Sequence, residues 1–132
     1  MNISQVAALT ELSAKMIRRY EALNLLPAVP RTDADYRVYH DQHVAALSFI
    51  RRARDLGFSL KQIEALMSLW HDQHRASADV KKLAQAHIDL LEDKAQQLQE
   101  MADTLKNWTL CCSGDDDPNC AILNSLAQAN QP

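Results

Sequence analysis

Residues 79–110 constrain the fold more than any other stretch. Asp79 is a good helix N-cap, and beyond it Ala84, Leu91, Leu98 and Leu105 recur every seven residues. Met101 and Trp108 occupy the partner register, and so do His87 and Lys94. At 1.5 Å per residue, one helix over this span is roughly 45 Å long. Such a helix has no core of its own. It needs a partner helix, and a second copy of the chain is the simplest source. The interior His and Lys make the repeat imperfect, which argues against a long uninterrupted coiled coil.

The residues before it divide into shorter elements. Ile3, Val6, Ala7 and Leu9 to Leu12 suit a short helix. Ser13 caps a second helix over 14–24, with Met16, Ile17, Tyr20 and Leu23 as its apolar stripe and Lys15, Arg18 and Arg19 off it. Asn24 sits where a left-handed C-terminal residue is wanted. Two short helices joined by a tight turn make a helix-turn-helix candidate. Pro27 and Pro30 then punctuate the chain, and 31–39 reads as a β-hairpin with a polar tip. Arg31 and Arg37 flank that tip and give it phosphate-binding potential, as a wing beside the helix-turn-helix. Asp41 can cap a helix over 42–55, which Gly57 ends. Ser59 and Gln62 form a capping box for a helix over 60–70 with Ile63, Leu66, Met67 and Trp70 on its core side. Residues 71–78 are polar and read as a hinge. After the long helix, 111–120 is a loop by its Gly, Pro and acidic run, 121–126 can form a short helical turn, and 127–132 is a polar tail.

Composition agrees with a mainly α chain. Two Gly and four Pro in 132 residues, with 5% aromatics, supply too few turns for a β-sandwich or barrel. The formal net charge is −3, but it is unevenly placed. Residues 1–75 hold 10 basic against 8 acidic side chains, and residues 76–132 hold 4 against 9. The basic side chains are therefore concentrated where the helix-turn-helix lies, which suits a polyanionic partner. No apolar run approaches the ~20 residues of a membrane span, and the first residues lack the pattern of a secretion signal. The expectation is a cytoplasmic protein. No nucleophile–base constellation or phosphate loop is present, so an enzyme is not expected.

All three cysteines, Cys111, Cys112 and Cys120, fall within ten residues. In a reducing compartment such a cluster reads as metal or redox chemistry before a structural disulfide. Soft d¹⁰ cations favour thiolates, whereas zinc wants four ligands. Only three thiols lie here, and all five His precede residue 88. His40, His43, His71, His74 and His87 do not cluster and read as surface side chains. Asp115–Asp117 reads as a solvated loop, and Arg51 and Arg52 as a solvated helix face.

The order of elements resembles the MerR family of bacterial regulators. The matching blocks are Ile3-Ser4-Gln5-Val6-Ala7, Ser13-Ala14-Lys15-Met16-Ile17-Arg18-Arg19-Tyr20-Glu21, Leu25-Leu26-Pro27, Arg31, Tyr36-Arg37-Val38-Tyr39, and Phe49 through Leu60. They cover about the first 70 residues, and the long helix follows in the expected place. The chain departs from the family in carrying Arg19 where a second Tyr is usual, Asn24 where Gly is usual, and Ala34-Asp35 at the wing tip, where Gly is usual. Cys112 and Cys120, with seven residues between them including Gly114-Asp115, look like the metal loop of the copper-efflux regulator branch, whose relatives also sense silver and gold. Ser77 sits where divalent-ion sensors of the family carry a further cysteine.

The resemblance implies a winged helix-turn-helix DNA-binding domain over 1–70, a hinge over 71–78, an antiparallel dimerisation helix over 79–110, a metal-binding loop and short helix over 111–126 and a flexible tail over 127–132. It implies that Cys112 and Cys120 ligate one Cu(I), Ag(I) or Au(I) per subunit, that Cys111 does not, and that Ser77 favours charge +1. Lys15, Arg18 and Arg19 would face promoter DNA from the second helix, where Tyr20 either packs or touches the DNA backbone, Arg31, Tyr36 and Arg37 would face it from the wing, and Arg54 would add a phosphate contact. The implied activity is transcription activation: the homodimer distorts promoter DNA with an overlong spacer so that RNA polymerase can use it. Two rivals stay open on the same scaffold, a thiol redox regulator and a divalent zinc or mercury sensor recruiting Cys111.

Overall fold

The computed structural model describes residues 1–111, 118 and 120–128. Their elements in chain order are α1 (Ile3–Thr10), α2 (Ala14–Ala22), α3 (Asp41–Asp55), α4 (Leu60–His71), α5 (Ser77–Leu110) and α6 (Ala121–Ala127). No named strand occurs among the described residues. The chain divides into two units, Met1–Val80 and Lys81–Pro132.

In the first unit, local sequence fixes the helix ends. Asn2 and Gln5 cap α1 reciprocally, each side chain accepting from the other's backbone N–H at 2.9 and 2.8 Å. Ser13 Oγ accepts the Met16 N–H at 3.1 Å to start α2, and Ser59 and Gln62 form the expected capping box of α4. Each such cap satisfies N–H groups that have no intrahelical partner and contributes about 1 kcal/mol. Asn24 takes φ 59° just past α2, and Asp35 takes φ 67° at the wing tip. Both adopt the left-handed region that Asn and Asp tolerate best among non-glycine residues, so both departures from glycine keep the backbone path.

Two local expectations differ. The cap of α3 is His40, and Asp41 is the first residue of the helix. His43 Nδ1 accepts the His40 N–H at 2.8 Å, so an imidazole reaches back to the capping residue as the Glu or Gln of a capping box does. The wing is a reduced hairpin, with a single antiparallel bridge between Arg31 and Arg37. Thr32 N–H donates to Tyr36 O at 2.8 Å, and Val38 N–H donates to Pro30 O at 2.8 Å. Pro30 has no N–H to return, which limits the ladder on that arm.

The core of this unit gathers Val6 from α1, Ile17 and Tyr20 from α2, Tyr39 from the wing's return arm, Leu47 and Ile50 from α3, and Ile63 and Met67 from α4. All are buried, at an order of 1.5–3 kcal/mol per side chain. His43 belongs with them. It is fully buried, it contacts Ala28 O at 3.1 Å through Nε2, and its ring meets Tyr39 edge-on. The surface reading of His43 is therefore corrected, and so is that of His87, which is buried on α5. Arg51 is also no solvated side chain. It is half-buried, it hydrogen-bonds Glu11 O, and it pairs with Asp55 at 3.0 Å and Glu11 at 3.6 Å. It pins the left-handed turn at Glu11, between the first two helices, to α3.

α5 starts at Ser77, two residues before the expected cap, and runs 34 residues. Side chain–side chain hydrogen bonds at i,i+4 brace its surface, among them Gln99 to Asp103 at 2.9 Å. Its apolar stripe is uncovered: Leu91, Leu98, Met101 and Leu105 are 42–64% exposed. An apolar helix face of this extent is consistent with dimerisation. No helix among the described residues is long and apolar enough to cross a membrane.

Candidate nucleic-acid interface

The stripe that buries α2 decides what it presents. Ile17 and Tyr20 face the core, and Lys15, Arg18 and Arg19 are exposed. Three cationic side chains thus share the outward side of a nine-residue helix, the length a major groove accepts. Tyr20 is only 3% exposed. Of the two roles expected for it, packing and a contact to the DNA backbone, its burial matches packing. Arg54 is exposed on α3 and lines the same surface depression as Arg19, together with Phe58 and Leu60.

The wing supplies the second set. Tyr36 is 72% exposed. Arg31 is exposed and holds the tip through Asp35, with Nη1 donating to Asp35 O at 3.2 Å and lying 3.5 Å from its carboxylate. Arg37 behaves differently. It is half-buried, and its Nε donates to Glu21 Oε2 at 2.9 Å. The Tyr39 hydroxyl donates to the same oxygen at 3.3 Å. Burial raises the Tyr39 phenol above its ordinary value, and the Glu21 charge raises it further. Glu21 was legible only as part of a matching block. The signal for its role is an acidic residue in the last turn of a basic helix, where the helix dipole disfavours it.

Of the cysteines, Cys111 is exposed just past α5, its N–H donating to Asn107 O at 3.3 Å. Cys120 is half-buried at the N-cap of α6. Cys112, the other expected ligand, lies outside the described residues, as do Gly114 and Asp115–Asp117. Among the described residues no three His, Cys, Asp or Glu side chains converge, and a two-thiolate site needs fewer. Ser77 is exposed at the first position of α5.

A two-helix reader with a basic outer face, a wing bonded to its second helix, and a long apolar-striped helix later in the chain define a winged helix-turn-helix DNA-binding protein. Comparison with known proteins sharpens the class. A family model described as MerR HTH family regulatory protein matches residues 1–70, and one described as MerR, DNA binding matches 44–108. The chain belongs to the MerR family of transcription regulators. It is 47% identical over 130 residues to a heavy metal-dependent transcription regulator 2 of Rhizobium meliloti (strain 1021), covering 98% of this chain and 88% of the relative. It is 38% identical over 127 residues to the HTH-type transcriptional regulator CueR of Escherichia coli O6:H1, covering 96% and 94%. The crystal structure of the transcription regulator PbrR691 from Ralstonia metallidurans CH34, in complex with lead(II), superposes with a TM-score of 0.83 at 30% identity, covering 96% of this chain and 99% of that one.

Proposed function

We propose that this protein is a metal-responsive activator of copper, silver or gold efflux and detoxification genes, working as a homodimer on promoter DNA. The observation that carries the DNA part is the shared outward side of Lys15, Arg18 and Arg19 on a helix to which the wing is hydrogen-bonded. Similarity along 98% of the chain to a heavy metal-dependent regulator supports the metal part. The proposed layout is a DNA-binding domain over 1–70, a hinge over 71–78, a dimerisation helix over 79–110, a sensing segment over 111–126 and a tail over 127–132. The protein acts in the cytoplasm, where promoter DNA and RNA polymerase are.

Arg18 and Arg19, with Lys15, enter the groove and carry base and phosphate contacts. Arg31, Tyr36 and Arg54 hold phosphates on either side, and Arg37 joins them from the wing. Tyr20 keeps the helix seated on the core. Cys112 and Cys120 supply two thiolates for one ion per subunit, and Cys111 stands aside, because adjacent cysteines rarely reach the same side of an ion. Cys112 and Cys120 would hold a Cu(I)-like cation, a soft ion that favours thiolate donors. Two thiolates around a single positive charge leave one negative charge, which the Ser77 hydroxyl tolerates and a third thiolate would not. The metal-bound dimer favours a state that bends and untwists an overlong promoter spacer, a population shift read as DNA deformation.

Similarity to the lead(II)-bound regulator favours a second reading, a divalent-ion sensor. Competitive titration separates the two. One Cu(I) per subunit, lost in Cys112→Ser and in Cys120→Ser and kept in Cys111→Ser, supports the first reading. Loss of Cu(I) affinity in Cys111→Ser, or tighter binding of Pb(II) or Zn(II) than of Cu(I), overturns it.

A further inference from the structure

Glu21 stands against the logic of the surface it occupies. It lies in the last turn of α2, where a carboxylate meets the negative end of the helix dipole. That helix presents Lys15, Arg18 and Arg19, so a carboxylate nearby opposes the approach of phosphates. Its geometry accounts for its presence. One oxygen, Oε2, accepts from Arg37 Nε at 2.9 Å and from the Tyr39 hydroxyl at 3.3 Å. Arg37 and Tyr39 are both on the return arm of the wing. Arg37 closes the wing's bridge with Arg31. Tyr39 is fully buried, and its backbone N–H and carbonyl both bond Met1, each at 2.8 Å. The return arm therefore has one end fixed in the core and the other fixed to α2 through a single carboxylate oxygen. The pair is partly shielded, with side chains 31% and 23% exposed, so the charge-assisted bond is stronger than an open surface pair.

The geometry points to Glu21 as a positioning residue for DNA binding: it holds the wing in register with the recognition helix through Arg37 and Tyr39. Tyr36 lies on the tip side of that anchor and Arg31 lies across the bridge from it, so the distance between the wing's grip and the groove-entering helix depends on it. This assignment rests on the DNA-binding reading above.

The direction of the effect is what makes it testable. If Glu21 acted only through its charge, removing that charge would strengthen binding to a polyanion. As a positioning residue, its removal weakens binding. The probe is a DNA duplex enriched from random sequence by the wild-type protein. Absence of any enriched duplex counts against the DNA-binding reading itself. Glu21→Gln is expected to bind roughly fivefold to tenfold more weakly while still folded at the assay temperature. The double variant Glu21→Gln/Arg37→Gln is expected to bind no more weakly than Arg37→Gln alone, because the two residues act as one unit. A spectrophotometric titration of the tyrosines gives an independent signature, since the Tyr39 phenol is expected to titrate lower once the Glu21 charge is gone. Affinity of Glu21→Gln equal to or above wild type, or losses that multiply in the double variant, overturn the assignment. If Glu21→Gln melts below the assay temperature, Glu21→Asp carries the test. It keeps the charge and withdraws the oxygen by one methylene, so weakened binding is expected and wild-type affinity overturns the assignment.

Discussion

The indole of Trp70 lies flat against the ring of Phe49, with centroids 4.5 Å apart and planes 6° from parallel. This stack ties the last turn of α4 to the middle of α3, just before the polar segment that leads into α5. Trp70 is still 38% exposed, so its removal forfeits a stacked pair and part of a buried ring. Trp70→Ala is expected to cost about 2 kcal/mol of stability, measured by urea denaturation at fixed protein concentration. A cost below ~0.5 kcal/mol would mean the stack is ornamental to the fold.

Arg51 and Arg52 are neighbours with opposite duties. Arg51 bonds Glu11 and Asp55, while Arg52 is exposed. Arg51→Ala is expected to destabilise by about 1 kcal/mol, a value kept small because both carboxylates are open to solvent. Arg52→Ala should stay within ~0.5 kcal/mol of wild type. Equal effects in thermal melts would remove the clamp from the account.

Tyr39 gives a pH dependence with a definite sign. Its folded pKa is raised above 10.0, first by burial and then by Glu21. The folded state therefore keeps the phenolic proton where the unfolded chain loses it. Stability from this group is fully present below pH 10.0 and falls as pH rises through the folded pKa. Tyr39→Phe should flatten the alkaline limb of a stability profile while leaving the neutral region to other groups.

The stripe on α5 predicts assembly. Leu98 is 64% exposed within one chain, and Leu98→Glu should shift sedimentation toward monomer while leaving the helix content of the first unit intact. An unchanged dimer in that variant would place the interface elsewhere.

Much of this was legible in the sequence because it is local. The Ser13 and Ser59 caps, the left-handed Asn24 and the six helices follow from signals a few residues apart, and the helix ends shift by at most two residues. What the sequence hid depends on distant partners. Arg51 looks solvated until the fold brings Glu11 beside it, forty residues away in sequence. His43 looks like a surface imidazole until Ala28 supplies its second partner. The role of Glu21 emerges only when the wing folds back onto α2. The wing itself was expected as a full hairpin, and Pro30 reduced it to one bridge. At the metal loop the sequence carries the reading, since Cys112 lies outside the described residues.

In the proposed function, Cu(I)-like ions held by Cys112 and Cys120 switch on transcription by the homodimer. The most direct test is in vitro transcription from the protein's own promoter with Cu(I), Ag(I), Au(I), Zn(II) and Pb(II), using wild type, Cys112→Ser and Cys120→Ser. Wild type is expected to be activated by the three monovalent ions only, and neither variant by any ion. Activation by Zn(II) or Pb(II), or by peroxide without metal, would contradict the proposed function.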